Sequence, residues 1–270
     1  MRRFKILFFW IFVNKNNVSF KELIEFLTKP KINAIAKQHI QHIQLNNEYE
    51  VSFKTFSDKL FWPKNFSINR LDQVVAETFD VNDWHFYQKE QTPIEKGEVL
   101  LDIGTAEGLF PLTVVDTCSH IYMVEPSTTF HKCLNKTFSN HLDKVTIFNT
   151  AIGNEDGTIT FNEDSLDGMI AEVKNDAQLM SINKIDTLFK NGEKITYLKA
   201  DIEGFESEML KGAEQTIKRN KPKIAITTYH TQNDPKEIIG LITGFVPEYK
   251  YYVKGIYEKT PKPVMIHFWI

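Results

Sequence analysis

The sequence predicts an α/β protein whose central sheet is mostly parallel and is covered by helices on both faces. Two observations support this fold class. Short apolar runs alternate with stretches of helical periodicity, and the runs are too continuously apolar to leave one face in water, which is typical of parallel strands. The five runs are residues 99–103, 121–124, 145–148, 195–198 and 224–226.

The segments around these runs complete the pattern. Apolar residues recur at helical spacing over 130–138, after the second run, and over 205–217, after the fourth. Residues 249–253 and 264–270 predict a terminal antiparallel pair of strands. Between the third and fourth runs, residues 153–157 predict a tight hairpin turn.

The chain before the sheet is predicted to be a separate extension over residues 1–69, with the main domain over 70–270. Within it, Ser19 followed three residues later by Glu22 is a capping-box pattern at the start of an apolar helical stretch. Residues up to 46 are predicted to be helical. The following residues alternate between apolar and polar up to residue 62, which predicts a hairpin or edge strands. A short helix around residues 71–79 is expected to lead into the main domain.

Composition excludes several classes of protein. The 270 residues are 42% hydrophobic, which is too apolar for wholesale disorder. The longest apolar run, residues 4–13, contains Lys5 and is about half of the ~20 residues that a membrane span needs, so no transmembrane helix is expected. Cys118 and Cys133 are too few for a disulfide framework or a four-thiolate zinc site.

Charge is spread unevenly along the chain. Residues 1–46 hold eight Lys and Arg and two Asp and Glu, a net charge of +6, which leaves −9 for the rest of a chain whose total is −3. An acidic body argues against nucleic acid as the main partner, because phosphates need a basic footprint. The basic N-terminal region is consistent with peripheral contact with an anionic membrane or a lipid-linked acceptor, with a docked partner helix, or with simple packing on the main domain.

The first residues also resemble a signal peptide, since Arg2 and Arg3 precede the apolar run. The polar residues 14–17 follow, however, and no small-residue cleavage site is present. We therefore expect this segment to be retained and the protein to be cytoplasmic. The sequence leaves a homo-oligomer open.

The first candidate site follows the run at 99–103. Asp102, Gly104 and Gly108 surround a turn at the carboxyl end of this strand, where open α/β sheets bind ligands, and the glycines would allow close approach of a ligand. Glu107 lies within the turn. Glu125 ends the second run, where a carboxylate can accept hydrogen bonds from a ribose diol.

This turn favours a methyl donor over a dinucleotide. The spacing is G-x-x-x-G rather than G-x-G-x-x-G. The carboxylates of Asp102 and Glu107 would oppose a pyrophosphate but suit a cation such as the sulfonium and ammonium of S-adenosylmethionine. A nicotinamide-dependent oxidoreductase and a purely structural turn remain the alternatives.

The second candidate site ends the fourth run. If the strand stays extended, Lys199, Asp201 and Glu203 share one face, an unusual place for charges in a central strand. Gly204 then permits a sharp turn, and Glu206 favours the N-terminus of the next helix. The structural alternative is an ion pair of Lys199 with Asp201 or Glu203 that only holds the turn.

The acceptor side adds His230, which follows the fifth run and is expected near Asp201. Asp201, Glu203 and His230 are candidate general bases for a hydroxyl nucleophile, although His230 could instead only end its strand. The same three residues could hold a divalent ion, but their spacing does not demand one and no metal site is predicted. The aromatic residues 84–87 are expected either to roof the donor or to pack in the core.

The chain resembles the FkbM-type family of S-adenosylmethionine-dependent methyltransferases over about residues 70–270. The matching elements are Leu101-Asp102-Ile103-Gly104, Glu107-Gly108-Leu109-Phe110, Val124-Glu125-Pro126, Asn149-Thr150-Ala151, Lys199-Ala200-Asp201-Ile202-Glu203-Gly204 and Lys211-Gly212-Ala213. The resemblance implies a Rossmann-like class I methyltransferase fold. It further implies an O-methyltransferase that acts on hydroxyls of glycans or other polyhydroxylated molecules.

The resemblance also implies the roles of the site residues. The methionine end of S-adenosylmethionine is expected near Asp102, the ribose near Glu125, the adenine near Asn149 and Ala151, and the reacting groups near Asp201. The predicted cofactor-binding residues are Asp102, Gly104, Thr105, Glu107, Gly108, Glu125, Pro126, Asn149 and Ala151. The predicted catalytic residues are Asp201, His230, Glu203 and Lys199. A non-catalytic binding protein that keeps the fold is the further alternative.

Overall fold

The computed structural model describes residues 2–161, 178–230 and 232–270. Its N-terminal part consists of three helices followed by a three-stranded antiparallel sheet. These elements are α1 (Arg2–Phe12), α2 (Phe20–Thr28), α3 (Ile32–His39), β1 (Ile40–Leu45), β2 (Tyr49–Phe53) and β3 (Lys59–Trp62). The predicted capping box of Ser19 and Glu22 is present at the start of α2.

The predicted N-terminal helical stretch ends before residue 46. Strand β1 begins at Ile40 and pairs antiparallel with β2, with Ile43 opposite Val51. Ile40 and Ile43 pack against the core. This tertiary contact selects the strand over a continued helix.

The larger part of the chain forms the α/β body. Its elements are α4 (Ile68–Phe79), β4 (Val99–Ile103), α5 (Leu109–Val114), β5 (His120–Val124), α6 (Thr128–Thr137), β6 (Val145–Phe148), β7 (Ala151–Ile152), β8 (Gly157–Phe161), β9 (Gln178–Asn183), α7 (Ile185–Leu188), β10 (Tyr197–Ala200), α8 (Glu206–Lys211), α9 (Glu214–Asn220), β11 (Lys223–Thr227), α10 (Pro235–Phe245), β12 (Lys250–Lys254) and β13 (Met265–Trp269).

The central sheet has seven strands in the order β12-β13-β11-β10-β4-β5-β6. Strands β4, β5, β6, β10 and β11 are parallel, and β13 pairs antiparallel with both β11 and β12. The predicted fold class is therefore confirmed. Because β5 and β10 lie on opposite sides of β4, the strand order reverses there, which opens a crevice beyond the carboxyl ends of these strands.

Apolar side chains cover both faces of this sheet. Leu100 and Ile121 pack on one face, and Leu101, Ile103 and Leu198 pack on the other. All five are at most 1% exposed, which explains why the strands read as continuous apolar runs. Among the described helices, none has both the length and the apolar character that crossing a membrane requires.

Two local predictions are wrong. Residues 153–157 do not form a hairpin, because β9 lies between β7 and β8 in a separate three-stranded sheet. The helix predicted over 205–217 is split into α8 and α9. A Cβ at Gly212 would lie 2.1 Å from the carbonyl oxygen of Gly153, and the carboxylate of Asp186 accepts hydrogen bonds from the backbone at the start of α9.

Candidate active site

A cavity of about 240 Å³ lies beyond the carboxyl ends of β4, β5 and β10. The loops after these strands line it, together with one face of α4. Most of the predicted site residues are in this lining: Asp102, Gly104, Thr105, Glu107, Glu125, Pro126, Ala151, Lys199, Asp201 and Glu203. Within the described part of the chain, Gly108, Asn149 and His230 lie just outside it.

The loop after β4 is shaped by three residues with positive φ angles, Gly104, Ala106 and Gly108. A Cβ at Gly104 would lie 2.0 Å from the carbonyl oxygen of Asp201, and one at Gly108 would lie 2.5 Å from Leu134. The backbone contact and the left-handed conformation both require glycine at position 104, whereas at position 108 the left-handed conformation is the main reason for glycine. Gly104 additionally lines the cavity, as predicted, whereas Gly108 serves as the N-cap of α5.

Glu125 joins this loop to the loop after β5. Its Oε2 accepts a hydrogen bond from the backbone N–H of Ala106 at 2.8 Å, and its Oε1 accepts one from Ser127 at 2.8 Å. Burial raises the pKa of Glu125 to about 7, although these two hydrogen bonds oppose the shift. Each oxygen keeps a lone pair with which it can accept a further hydrogen bond from a ligand hydroxyl.

The side chain of Asn149 supports the loop after β5. Its side-chain amide donates hydrogen bonds to the carbonyl oxygens of Glu125, at 3.0 Å, and Pro126, at 2.9 Å. It thereby fixes the loop after β5, while Pro126 and Ala151 provide surface within the cavity. The place predicted for adenine is thus lined by Ala151 and supported by Asn149.

Asp102 and Lys199 form a buried ion pair at the floor of the cavity. The two residues are opposite each other in the β4–β10 ladder, and Nζ of Lys199 lies 2.9 Å from Oδ1 of Asp102. Lys199 also donates to the carbonyl oxygen of Gly104 at 2.7 Å. Lys199 therefore forms its ion pair with Asp102 on the neighbouring strand. The ion pair with Asp201 or Glu203 that the sequence left open is not the one formed.

The carboxylate of Asp102 can nonetheless accept further hydrogen bonds. The residue is fully buried, and neither carboxylate oxygen accepts a hydrogen bond of regular geometry from the described residues. Burial raises the pKa of Asp102 against the effect of Lys199. Burial likewise raises the pKa of Glu107 to about 7. Thr105 donates its hydroxyl hydrogen to the backbone carbonyl of Asp102 and so stabilises the turn.

The charges of the lining match a cationic ligand. Two of its residues carry cationic groups, Arg70 and Lys199, and six carry carboxyl groups: Glu77, Asp102, Glu107, Glu125, Asp201 and Glu203. A buried carboxylate without regular hydrogen-bond donors is costly unless a ligand supplies them. The residues present therefore fit a ligand with positive charge and hydrogen-bond donors, as S-adenosylmethionine has.

Asp201 lies directly after β10 and faces this cavity. The hydroxyl of Tyr87 donates to its Oδ2 at 3.0 Å, and the hydroxyl of Thr227 donates to its Oδ1 at 3.0 Å. Burial alone would raise the pKa of Asp201, but the positive charges of His230 and Lys199 hold it below its usual value. Asp201 is therefore an oriented, ionised carboxylate.

His230 lies behind Asp201, between two further carboxylates. Its Nε2 is 3.0 Å from Oε2 of Glu203 and 3.7 Å from Oδ1 of Asp201, and its Nδ1 is 3.2 Å from Oε1 of Glu206. Burial opposes the charge, but the contacts with Glu203 and Glu206 raise the pKa of His230 to about 11. Near neutral pH this residue is an imidazolium, which has no lone pair to accept a proton.

The turn after Asp201 departs from the extended geometry that the sequence suggested. Glu203 and Gly204 both have positive φ angles, so Glu203 does not continue the face of Lys199 and Asp201. Glu206 fixes this turn, since it accepts hydrogen bonds from the backbone N–H groups of Ile202 and Gly204. Sequence reasoning assigned Glu206 only to a helix start and missed this role.

One group of possible metal ligands lies close together. It consists of Asp201, Glu206 and His230, whose ligand atoms lie within 4.8 Å of one another. Glu206, however, already accepts hydrogen bonds from two backbone N–H groups and, at 2.8 Å, from Asn233. The contacts of Glu206 favour an ion-pair and hydrogen-bond network at this cluster.

One wall of the cavity was not predicted. Glu77, on α4, lines the cavity and accepts a hydrogen bond from Gln73 at 2.9 Å. His85 lies behind it, 4.0 Å from Glu77 and 3.7 Å from Asp83. Burial opposes the charge on His85, but Glu77 and Asp83 raise its pKa to about 9. Burial also raises the pKa of Glu77.

The aromatic segment 84–87 divides between the two predicted roles. Tyr87 lines the cavity and lies over Lys199, whose Nζ is 5.0 Å from the ring centre. Trp84 is 3% exposed and stacks on Phe26 of α2 at 4.3 Å. The segment thus joins the cavity to the N-terminal helices.

The family model described as "Methyltransferase FkbM domain" matches residues 102–252. Among solved structures, the chain is similar to the methyltransferase FkbM from Methylobacillus flagellatus KT, with 20% identity and a TM-score of 0.52. This similarity covers 76% of the present chain but only 56% of that one. Among curated proteins, no significant relative is found.

Weaker structural similarity extends to other methyltransferases. Fibrillarin from Aeropyrum pernix, crystallised with S-adenosyl-L-methionine, has 9% identity and a TM-score of 0.45, over 86% of this chain and 99% of that one. An rRNA methylase from Streptococcus thermophilus has 11% identity and a TM-score of 0.42, over 65% of this chain and 88% of that one.

Proposed function

Because this chain belongs to the FkbM methyltransferase domain family and uses S-adenosylmethionine as its cofactor, we propose that it methylates a hydroxyl oxygen of a sugar, glycan or similar polyhydroxylated acceptor. The observation that carries this proposal is the position of Asp201, which lines the cavity and accepts hydrogen bonds from Tyr87 and Thr227. Burial opposes its charge, but His230 and Lys199 hold its pKa low. A hydroxyl nucleophile has to lose a proton, and Asp201 is placed to receive it.

The acidic floor and walls of the cavity bind the cofactor in this proposal. Asp102 and Glu107 offer carboxylates to its ammonium and sulfonium groups, and Glu125 accepts hydrogen bonds from the ribose hydroxyls. The bound cofactor supplies a methyl group on a positively charged sulfur. The protein's contribution at this stage is alignment, which can lower a barrier by about 7–11 kcal/mol.

Asp201 acts on the acceptor. It accepts a hydrogen bond from the acceptor hydroxyl and so directs the oxygen lone pair toward the methyl carbon. A methyl donor held by Asp102, Glu107 and Glu125 would give its methyl group to the acceptor oxygen and keep the electron pair of the broken carbon–sulfur bond, while Asp201 would receive the hydroxyl proton. The low pKa of Asp201 suits late proton transfer, because the hydroxyl becomes acidic only as the new bond forms.

His230 is a positioning residue in this scheme and not the general base. Its imidazolium neutralises Asp201 and Glu203 and keeps Asp201 ionised. Tyr87 and Thr227 donate hydrogen bonds that orient the same carboxylate. Of the three candidate bases Asp201, Glu203 and His230, we favour Asp201, because Tyr87 and Thr227 orient its carboxylate toward the cavity.

Glu77 gives the acceptor a second polar contact. It lines the same cavity as Asp201, and burial, with a smaller effect of the charge of Asp201, raises its pKa. Two carboxyl groups in one acceptor pocket suit a molecule with neighbouring hydroxyls. The acidic body, with a net charge of −9 outside residues 1–46, supports such an acceptor over nucleic acid. A cytoplasmic location also remains part of the proposal.

The direct test is transfer of a radiolabelled methyl group from S-adenosylmethionine to a panel of acceptors. We expect label in sugars and other polyhydroxylated molecules, and none in amine or thiol analogues of the same size. Label only in amines, thiols or RNA would overturn the proposed acceptor class. Absence of cofactor binding by the folded protein in calorimetry would overturn the assignment of the cavity itself.

A further inference from the structure

Helix α1 is apolar on two opposite sides. One side packs on the body: Ile6 is 1% exposed and lies in a cluster with Leu23, Trp84 and Val264. The other side faces outward and consists of large apolar residues, which we call the α1 face. Its members and their exposed fractions are Phe4 (77%), Phe8 (54%), Ile11 (53%) and Phe12 (71%).

The spacing of these four residues places them on one side of the helix, since residues three, four, seven and eight apart share a face. A surface helix of a globular protein normally turns charged or polar residues outward. Phe20, whose ring lies 6.1 Å from that of Trp10, is 65% exposed and adds a further aromatic side chain at the start of α2. A contiguous apolar surface of this kind marks an interaction site.

The surroundings of the α1 face are basic. The sequence of α1 contains no acidic residue, and Lys5 is exposed beside the face. Lys15 lies over the ring of Trp10 at 4.5 Å. The side chain of Lys21 is 86% exposed and lies 3.8 Å from Glu25, so its charge is partly balanced. Residues 1–46 together carry a net charge of +6.

These charges and aromatic residues indicate which partner binds the α1 face. A second copy of this chain docked face to face would bring two regions of +6 together, which disfavours self-association. Anionic lipids provide the complementary charge, and phenylalanine rings are favoured at the boundary of headgroups and acyl chains.

We propose that the α1 face binds an anionic lipid surface. The opposite side of α1 is packed on the body, so the helix lies along the lipid surface with its phenylalanine rings inserted between headgroups. The cluster under α1 also packs against Tyr229, which lines the cavity. The lipid-binding surface and the cavity are therefore neighbours, but the proposal does not depend on methyl transfer.

The test is flotation of the full chain with vesicles of phosphatidylcholine alone or mixed with phosphatidylglycerol. We expect binding to the mixed vesicles, weak binding to phosphatidylcholine alone, and release by salt. Phe8→Ser combined with Phe12→Ser should lower binding by about tenfold or more, because the inserted apolar area is lost. Lys5→Glu combined with Lys15→Glu should weaken binding to mixed vesicles only.

Leu142→Ser is the matched control, because Leu142 is 68% exposed on another part of the surface. It should bind vesicles like the wild type. Circular dichroism and calorimetry with S-adenosylmethionine show whether the α1 variants remain folded. The proposal is overturned if the wild type ignores mixed vesicles, binds both compositions equally, or keeps its binding in the Phe8/Phe12 variant. A wild-type dimer that this variant converts to a monomer would equally overturn it in favour of a second copy.

Discussion

The Nε2 atom of His230 lies 3.0 Å from the Oε2 atom of Glu203. This contact and that with Glu206 fix His230 as an imidazolium, with a pKa of about 11. A histidine at the end of a strand beside an active-site carboxylate is easily taken for a general base. Here its neighbours give it the opposite role, because a ring that is charged near neutral pH stabilises the ionised form of Asp201.

The pH dependence of activity should report this role. In His230→Gln, the positive charge that holds the pKa of Asp201 low is lost, so Asp201 becomes protonated at a higher pH. The acidic limb of the pH profile of kcat should therefore move to higher pH, with affinity for S-adenosylmethionine unchanged. Loss of the acidic limb in His230→Gln, together with a fall in kcat of about 10²–10⁴-fold at every pH, would instead identify His230 as the base.

Stability should respond to the same ion pairs. The pKa of His230 rises from 6.5 in the unfolded chain to about 11 in the folded protein. The charged His230 therefore contributes fully to the free energy of unfolding below about pH 6.5, and this contribution is lost as pH rises toward 11. Urea unfolding should show the wild type more stable than His230→Gln at about pH 6, with the difference decreasing by at most about 1.4 kcal/mol per pH unit above that. A difference that grows with pH would contradict this charge state.

Replacement of Asp201 by Asn should separate transfer from binding. The amide cannot accept a proton, so the rate of methyl transfer should fall by about 10²–10⁴-fold, the usual contribution of a general base. Calorimetry should show nearly unchanged cofactor affinity. Asp116→Asn, at a side chain that is 89% exposed, is the control. Full methyl-transfer activity of Asp201→Asn would contradict the role of Asp201 as the general base.

Cofactor affinity should depend on the charge of Glu125. Burial raises its pKa to about 7, and the carboxylate is a better acceptor for ribose hydroxyls than the neutral acid. Affinity for S-adenosylmethionine should therefore decrease as pH falls below about 7, and Glu125→Gln should flatten this dependence. Glu107 also has a pKa of about 7, so Glu107→Gln measured in parallel separates the two. A profile that steepens in Glu125→Gln would contradict the assignment.

Glu77 should affect the acceptor and not the cofactor. If it binds a second hydroxyl, Glu77→Gln raises the acceptor KM several-fold, because the amide offers one acceptor oxygen where the carboxyl group offers two. The dissociation constant of S-adenosylmethionine should be unchanged. The opposite pattern, with weaker cofactor binding and an unaltered acceptor KM, would place Glu77 on the cofactor side.

The sequence predicted the parallel sheet and the position of several acidic site residues. Strands buried on both faces leave unmistakable apolar runs, and the carboxyl ends of such strands meet, so Asp102 and Asp201 could be placed near one cavity. The family match removes the nicotinamide alternative that the turn at Gly104 left open.

The remaining features depend on tertiary contacts that a linear pattern does not encode. Glu77 belongs to a polar stripe on α4, and the sequence cannot tell whether such a stripe faces water or a cavity. The charge of His230 depends on Glu206, which lies 24 residues away in the chain. Glu203 has a positive φ angle in a turn that Glu206 fixes. The prediction that Lys199 and Glu203 share one face of an extended strand is therefore wrong.

A crystal structure with S-adenosylhomocysteine would show directly whether the acidic cavity binds the cofactor. We expect the product in the cavity beyond β4, β5 and β10, with its ribose hydroxyls on Glu125, its amino group toward Asp102 and its sulfur facing Asp201. Density at any other place, or carboxylates of Asp102 and Glu125 turned away from the bound molecule, would contradict it.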